Sequence, residues 1–162
     1  MSTCWIFLYV LEQTLRLYPR GNISWGHATS KDMITWQDKN GWRDGEAVAL
    51  GPTGNGSYNG LGIFSGTGQP VNLQGEQDGT LLIFYTSVQY LPTNWKIPYT
   101  PYTETQSMVY STDGGDTWQE YENNPVIDAT TGTEPMNWNI TGFRDPFFEV
   151  CYGCTSLSKS TH

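Results

Sequence analysis

The stretch Gly142-Phe-Arg-Asp-Pro146 sets a cation and a carboxylate side by side, in a chain with seven Trp, ten Tyr and six Phe. Proline restricts the backbone of the residue before it, and a neighbouring guanidinium favours the ionised carboxylate, so Asp145 is constrained in both shape and charge. Two readings are open on spacing alone: a structural ion pair at a strand start, or a grip on a polar ligand. Chemistry that joins carboxylates to aromatic platforms is that of carbohydrates. Their flat C–H faces suit Trp, Tyr or Phe, and their hydroxyls suit Asp, Arg and Asn. Cleaving a glycoside takes two carboxyl groups across the scissile bond, one as acid and one as nucleophile or base. Asp145 is the best single candidate for such a group.

Other chemistries lack parts. There are two histidines, His27 and the last residue His162, and no Gly-x-Ser-x-Gly elbow, so a serine-type triad has little support. Gly60-x-Gly62 lacks the helix and further glycine of a dinucleotide fingerprint. Sixteen acidic residues against eight basic ones give a formal charge of −8, which repels phosphate backbones and anionic bilayers. Neither nucleic acid nor membrane is therefore an expected partner. Cys4, Cys151 and Cys154 cannot all pair within one chain. Cys151-x-x-Cys154 has no second ligand pair for zinc, which leaves incidental thiols beside a metal or redox site as the alternatives. The apolar run 5–11 is too short to span a bilayer and has neither a basic residue before it nor a cleavage site after it; it reads as a buried strand or a helix. Asn22-Ile-Ser, Asn55-Gly-Ser and Asn139-Ile-Thr match the glycosylation pattern of secreted chains.

The elements that must position these residues are short and β-rich. Strands are predicted at 5–10, 23–29, 47–50, 62–65, 80–88, 106–111, 117–121 and around 143–148, separated by Gly and Pro turns. Only 5–17 has any helical period, so helix content should be low. Residues 91–104 contain three prolines and form a long loop, the kind that carries function on β scaffolds. Ser30-Lys-Asp-Met-Ile-Thr-Trp36 returns as Ser111-Thr-Asp-Gly-Gly-Asp-Thr-Trp118. The two Trp are two periods of about 41 residues apart, close to the blade length of a β-propeller. In each copy the Asp should accept backbone N–H groups across the turn while the Trp packs between sheets, a structural task for Asp32, Asp113 and Asp116.

Four runs carry a resemblance: Asn22-Ile-Ser-Trp-Gly-His-Ala-Thr-Ser-Lys-Asp32, Gly62-Ile-Phe-Ser-Gly66, Gln106-Ser-Met-Val-Tyr-Ser-Thr-Asp-Gly-Gly115 and Gly142-Phe-Arg-Asp-Pro146. In order and spacing they resemble glycoside hydrolase family 32, the invertases, inulinases and fructosyltransferases, and its fungal members most. The resemblance implies an all-β fold, a partial five-bladed β-propeller with about three to four blades present. It implies retaining chemistry on sucrose or fructans through a covalent fructosyl-enzyme, without metal or organic cofactor, in an extracellular enzyme. Asp145 would be the transition-state stabiliser that grips fructose hydroxyls, with Arg144, Phe64 and Ser65 shaping the pocket. Trp25 and His27 lie in a motif near the pocket, where blade packing is the competing role.

The resemblance departs at two points. The family's nucleophile lies in Asn-Asp-Pro-Asn-Gly, yet the one Asp-Pro here is Asp145-Pro146. Its general acid lies in Glu-Cys well downstream, and Glu149 is too near Asp145 to take that place. The expectation is a divergent N-terminal segment at 1–19, a partial propeller at 20–149 and a divergent tail at 150–162, the whole a fragment lacking both reacting carboxylates. Open blade faces and strand edges should lower its stability. The alternative is a non-catalytic fructose- or fructan-binding remnant. A sialidase-type propeller would need a cluster of arginines, and this chain has Arg16, Arg20, Arg43 and Arg144.

Overall fold

The computed structural model describes residues 5–12, 23–39, 48–54, 56–90, 103–128 and 142–147, with the backbone alone along 5–12. Every regular element among them is a strand: β1 (Trp5–Glu12), β2 (Ile23–Ser30), β3 (Trp36–Asp38), β4 (Gly62–Gln69), β5 (Leu81–Val88), β6 (Glu104–Ser111) and β7 (Gln119–Glu120). The strands run in the order β1-β2-β4-β5-β6-β7, with β3 on β2. Two antiparallel units result. β1, β2 and β3 form one, and β4 to β7 form a four-stranded meander, a complete propeller blade. The units meet at one parallel pair, Ile23 with Gly62. The architecture is all-β and part of a five-bladed propeller; the expected third and fourth blades are not among the described residues, and Cys4, Cys151, Cys154 and most of the loop at 91–104 lie outside them.

β1 belongs to the segment set apart as divergent, and it is a strand rather than a helix, aligned with β2 from Trp5 opposite Ser30 to Glu12 opposite Ile23. The strand expected at 47–50 contributes an isolated bridge, Leu50 to Trp25. β3 was not foreseen, because three residues are too few to show a period. No ladder forms at 142–147. Gly142 and Asp145 both have positive φ, 94° and 63°, and Pro146 has no N–H to donate, so this segment cannot run as a regular strand.

Alternation along β5 and β6 sorts their side chains onto two faces. Ile83, Tyr85 and Val109 pack with Trp25, Leu50 and Ile63, which closes the first unit onto the second. Leu82 and Met108 pack with Val71 on the opposite face, flanked by Phe84, Tyr110, Tyr121 and Val126. That second face carries Thr86, Glu104 and Gln106 at its far end, where 142–147 lies across it.

The two repeated turns have the same construction. Asp32 Oδ1 accepts the N–H groups of Ile34 and Thr35 at 2.9 and 2.7 Å, and Asp113 Oδ1 accepts that of Thr117 at 2.9 Å. Ser30 and Ser111 each donate a hydroxyl to the same Asp, and the residue after it, Met33 or Gly114, turns left-handed. These donors hold Asp32 at about 2 and push Asp113 lower still. Trp118 packs against the inter-blade cluster as expected. Trp36 differs: it is 39% exposed, because the described residues place no second sheet over its face of β3.

Candidate functional site

Phe64 and Ser65 stand at an irregularity in β4. Ile63 faces Ser87 and Gly66 faces Tyr85, so β4 uses three steps where β5 uses two. Such a bulge re-aims the side chains within it. Ile63 points into the inter-blade core, whereas the Phe64 ring reaches the opposite face and Ser65 is exposed. Gly66 makes the bulge possible: a Cβ there would stand 1.9 Å from the Phe84 carbonyl oxygen. Trp25 braces the same point by donating its indole N–H to the Phe64 carbonyl at 2.9 Å.

Arg144 meets this bulge from the segment 142–147 that lies across the face of β5 and β6. Its guanidinium lies 5.5 Å from the Phe64 ring centroid, a cation–π arrangement. The same group donates to both carboxylate oxygens of Glu104, through Nη2 at 2.5 Å and Nε at 3.3 Å. The Glu104 side chain is 1% exposed and that of Arg144 35%. A bidentate, largely buried pair of this kind fixes a guanidinium plane far better than a surface pair does. Arg144 is thus paired, but with Glu104 and not with the adjacent Asp145. Asp145 stays exposed, its N–H bound to the Thr86 hydroxyl at 2.9 Å. Left-handed backbone at a non-glycine residue costs about 1–2 kcal/mol, and the following proline narrows its choices further. Such a conformation persists only where its surroundings enforce it.

Phe64, Ser65, Arg144 and Asp145 therefore gather at one end of the blade. His27 does not join them. It lies 1% exposed between the two units, beneath the turn that follows β6, where a Cβ on Gly115 would stand 3.0 Å from its Cε1. Trp25 meets the site by donating its indole N–H to the Phe64 carbonyl, while its ring packs in the inter-blade core. Burial, and then the Lys39 charge, push the His27 pKa below its ordinary 6.5, against the opposing pull of the Gly115 backbone and Asp116. The unfolded chain takes up a proton at His27 near pH 6.5 and the folded chain only at lower pH, so stability is complete above about pH 6.5 and falls as the solution is acidified below it. Denaturation midpoints at pH 7.5 and 5.5 should show this fall, and His27→Phe should reduce it. An unchanged fall in the variant would assign the effect elsewhere.

Three residues of the site were not singled out in the sequence: Glu104, Thr86 and Gln106. By its sequence Glu104 ends a proline-rich loop, and in the structure it opens β6. Thr86 and Gln106 are polar residues on faces that otherwise carry Leu82, Phe84 and Met108, and that break in an apolar alternation was the available signal.

A carboxylate, a fixed guanidinium and an aromatic ring thus meet at one end of a blade, groups of the kind that carbohydrate sites combine. Residues 7–152 match the glycosyl hydrolases family 32 N-terminal domain, and the chain belongs to that family. It is 32% identical over 147 residues to an invertase of Schwanniomyces occidentalis, covering 83% of this chain and 22% of that protein. It is 37% identical over 137 residues to an extracellular exo-inulinase of Aspergillus niger, covering 78% and 24%. Among solved structures it resembles an Aspergillus kawachii beta-fructofuranosidase complexed with glycerol, with TM-score 0.59 and 31% identity over 76% of this chain and 19% of that one. The chain thus spans about a fifth to a quarter of the length of these relatives.

Proposed function

We propose that these residues form one wall of the fructose pocket of a β-fructofuranosidase-type glycoside hydrolase acting on sucrose or fructans, outside the cell. The observation that carries this reading is the seating of Arg144-Asp145 beside the Phe64-Ser65 bulge. Asp145 presents an exposed carboxylate to ring hydroxyls, and its negative charge favours the oxocarbenium-like transition state of glycoside cleavage. Arg144, held by Glu104, closes one side, and Phe64 and Ser65 supply the floor. In retaining cleavage the nucleophile and the acid come from two other carboxyl groups. The sequence has no Asn-Asp-Pro-Asn-Gly, and Glu104 is occupied by Arg144, so these 162 residues hold the sugar without cleaving it.

The second reading is a non-catalytic fructose- or fructan-binding propeller remnant that keeps Phe64, Ser65, Arg144 and Asp145. Calorimetric titration of the chain with fructose tests the shared claim. Saturable binding abolished by Asp145→Ala, with no glucose released from sucrose, is expected. Absence of binding at any fructose concentration would sink both readings. Sequencing the surrounding transcript separates them, since a coding Asn-Asp-Pro-Asn-Gly upstream and Glu-Cys downstream belong only to the first.

A further inference from the structure

We infer that Thr86 and Gln106 are positioning residues for Asp145: the two side chains stand in for a backbone ladder and fix the left-handed turn that presents its carboxylate. They face each other across β5 and β6, and are 0% and 5% exposed. Gln106 Nε2 donates to the Phe143 carbonyl at 2.7 Å. With its nitrogen so committed, the Gln106 amide oxygen accepts the Thr86 hydroxyl at 3.2 Å. The Thr86 oxygen is then left to accept the Asp145 N–H at 2.9 Å. Every donor and acceptor in this chain has one direction available, and each bond polarises the next.

Gln106 is itself pinned, because its backbone N–H donates to Ile127 and its carbonyl accepts from Val126 and Ile127. The Phe143 carbonyl and the Asp145 N–H, which have no strand partner, thus meet a rigid pair instead of solvent. Glu104 fixes the intervening Arg144 from the same strand, two residues before Gln106. Three side chains of β5 and β6 therefore set the geometry of 143–145.

The test needs no sugar, although the consequence for sugar rests on the fructose reading above. Amide hydrogen exchange of the 162-residue chain is compared between wild type, Thr86→Ser and Thr86→Val. Loss of the hydroxyl in Thr86→Val should speed exchange at Asp145 by about tenfold, with β5 and β6 amides unchanged, and Thr86→Ser should restore protection. Gln106→Met supplies a second measurement should Thr86→Val fold badly: it keeps the hydroxyl, removes its partner, and should speed Asp145 in the same direction. Unchanged Asp145 exchange in the folded variants, or a rise of equal size throughout β5 and β6, overturns the inference. If the wild type binds fructose, Thr86→Val should weaken binding about tenfold and Thr86→Ser should not. If it binds none, the fructose reading fails while the exchange result still decides this one.

Discussion

Replacing Gly66 with alanine should cost the blade about 3 kcal/mol or more, the upper end of what overpacking does. A new Cβ would stand 1.9 Å from the Phe84 carbonyl oxygen and 2.7 Å from the Tyr85 Cα. These are backbone atoms in the middle of a central strand, so no side chain can rotate aside. Relief requires β4 to move off β5, which would cost the register that places Ile63 in the inter-blade core and Phe64 beneath Arg144. Urea denaturation should show the midpoint collapse, or the variant should be recovered only as aggregate. Gly68→Ala is the control: the nearest atom to its Cβ, the Leu82 carbonyl oxygen, is at an ordinary 3.7 Å. Comparable losses in the two variants would show that close approach at Gly66 is not what matters.

Arg144→Ala should be the second severe change. It removes both donors from a Glu104 side chain that is 1% exposed, stranding a carboxylate inside the blade. Breaking a fully buried pair costs about 3–5 kcal/mol; here about 2–3 is expected, because the Arg144 side is about a third exposed and water can follow it in. Adding Glu104→Gln should return part of that loss, since a neutral amide is easier to leave without a cation. A single variant within about 0.5 kcal/mol of wild type in urea would remove the pair from the account. So would a double variant less stable than the single one.

The sequence exposed the scaffold more fully than the site. Alternation and turn residues mark β2, β4, β5 and β6, and the recurrence of Ser-x-Asp with Trp36 and Trp118 marks blade-length spacing, because these signals are local. Phe64, Ser65, Arg144 and Asp145 stand in short motifs, and the family resemblance those motifs carry is what names them together as candidates. What closes them into a site is not local. Glu104 finds Arg144 forty residues on, and Thr86 finds Asp145 across fifty-nine. Nothing in spacing announces either pair. The adjacent Arg144 and Asp145 suggested an ion pair with each other, yet consecutive residues point apart, and the guanidinium goes to the buried carboxylate that offers two acceptors. His27 shows the converse. Its motif left a place near the pocket and a role in blade packing both open, and β2 carries it between the two units, under Gly115.

The central claim is that Phe64, Ser65, Arg144 and Asp145 form one fructose-binding surface. It is tested most directly by following backbone amide resonances of the isotopically labelled chain while fructose is added. The account predicts that the signals of these four residues shift together along one saturation curve, while His27 and Trp118, at the other end of the blade, stay put. Shifts that saturate around His27 and leave Asp145 unmoved, or no saturable shift anywhere, would contradict it.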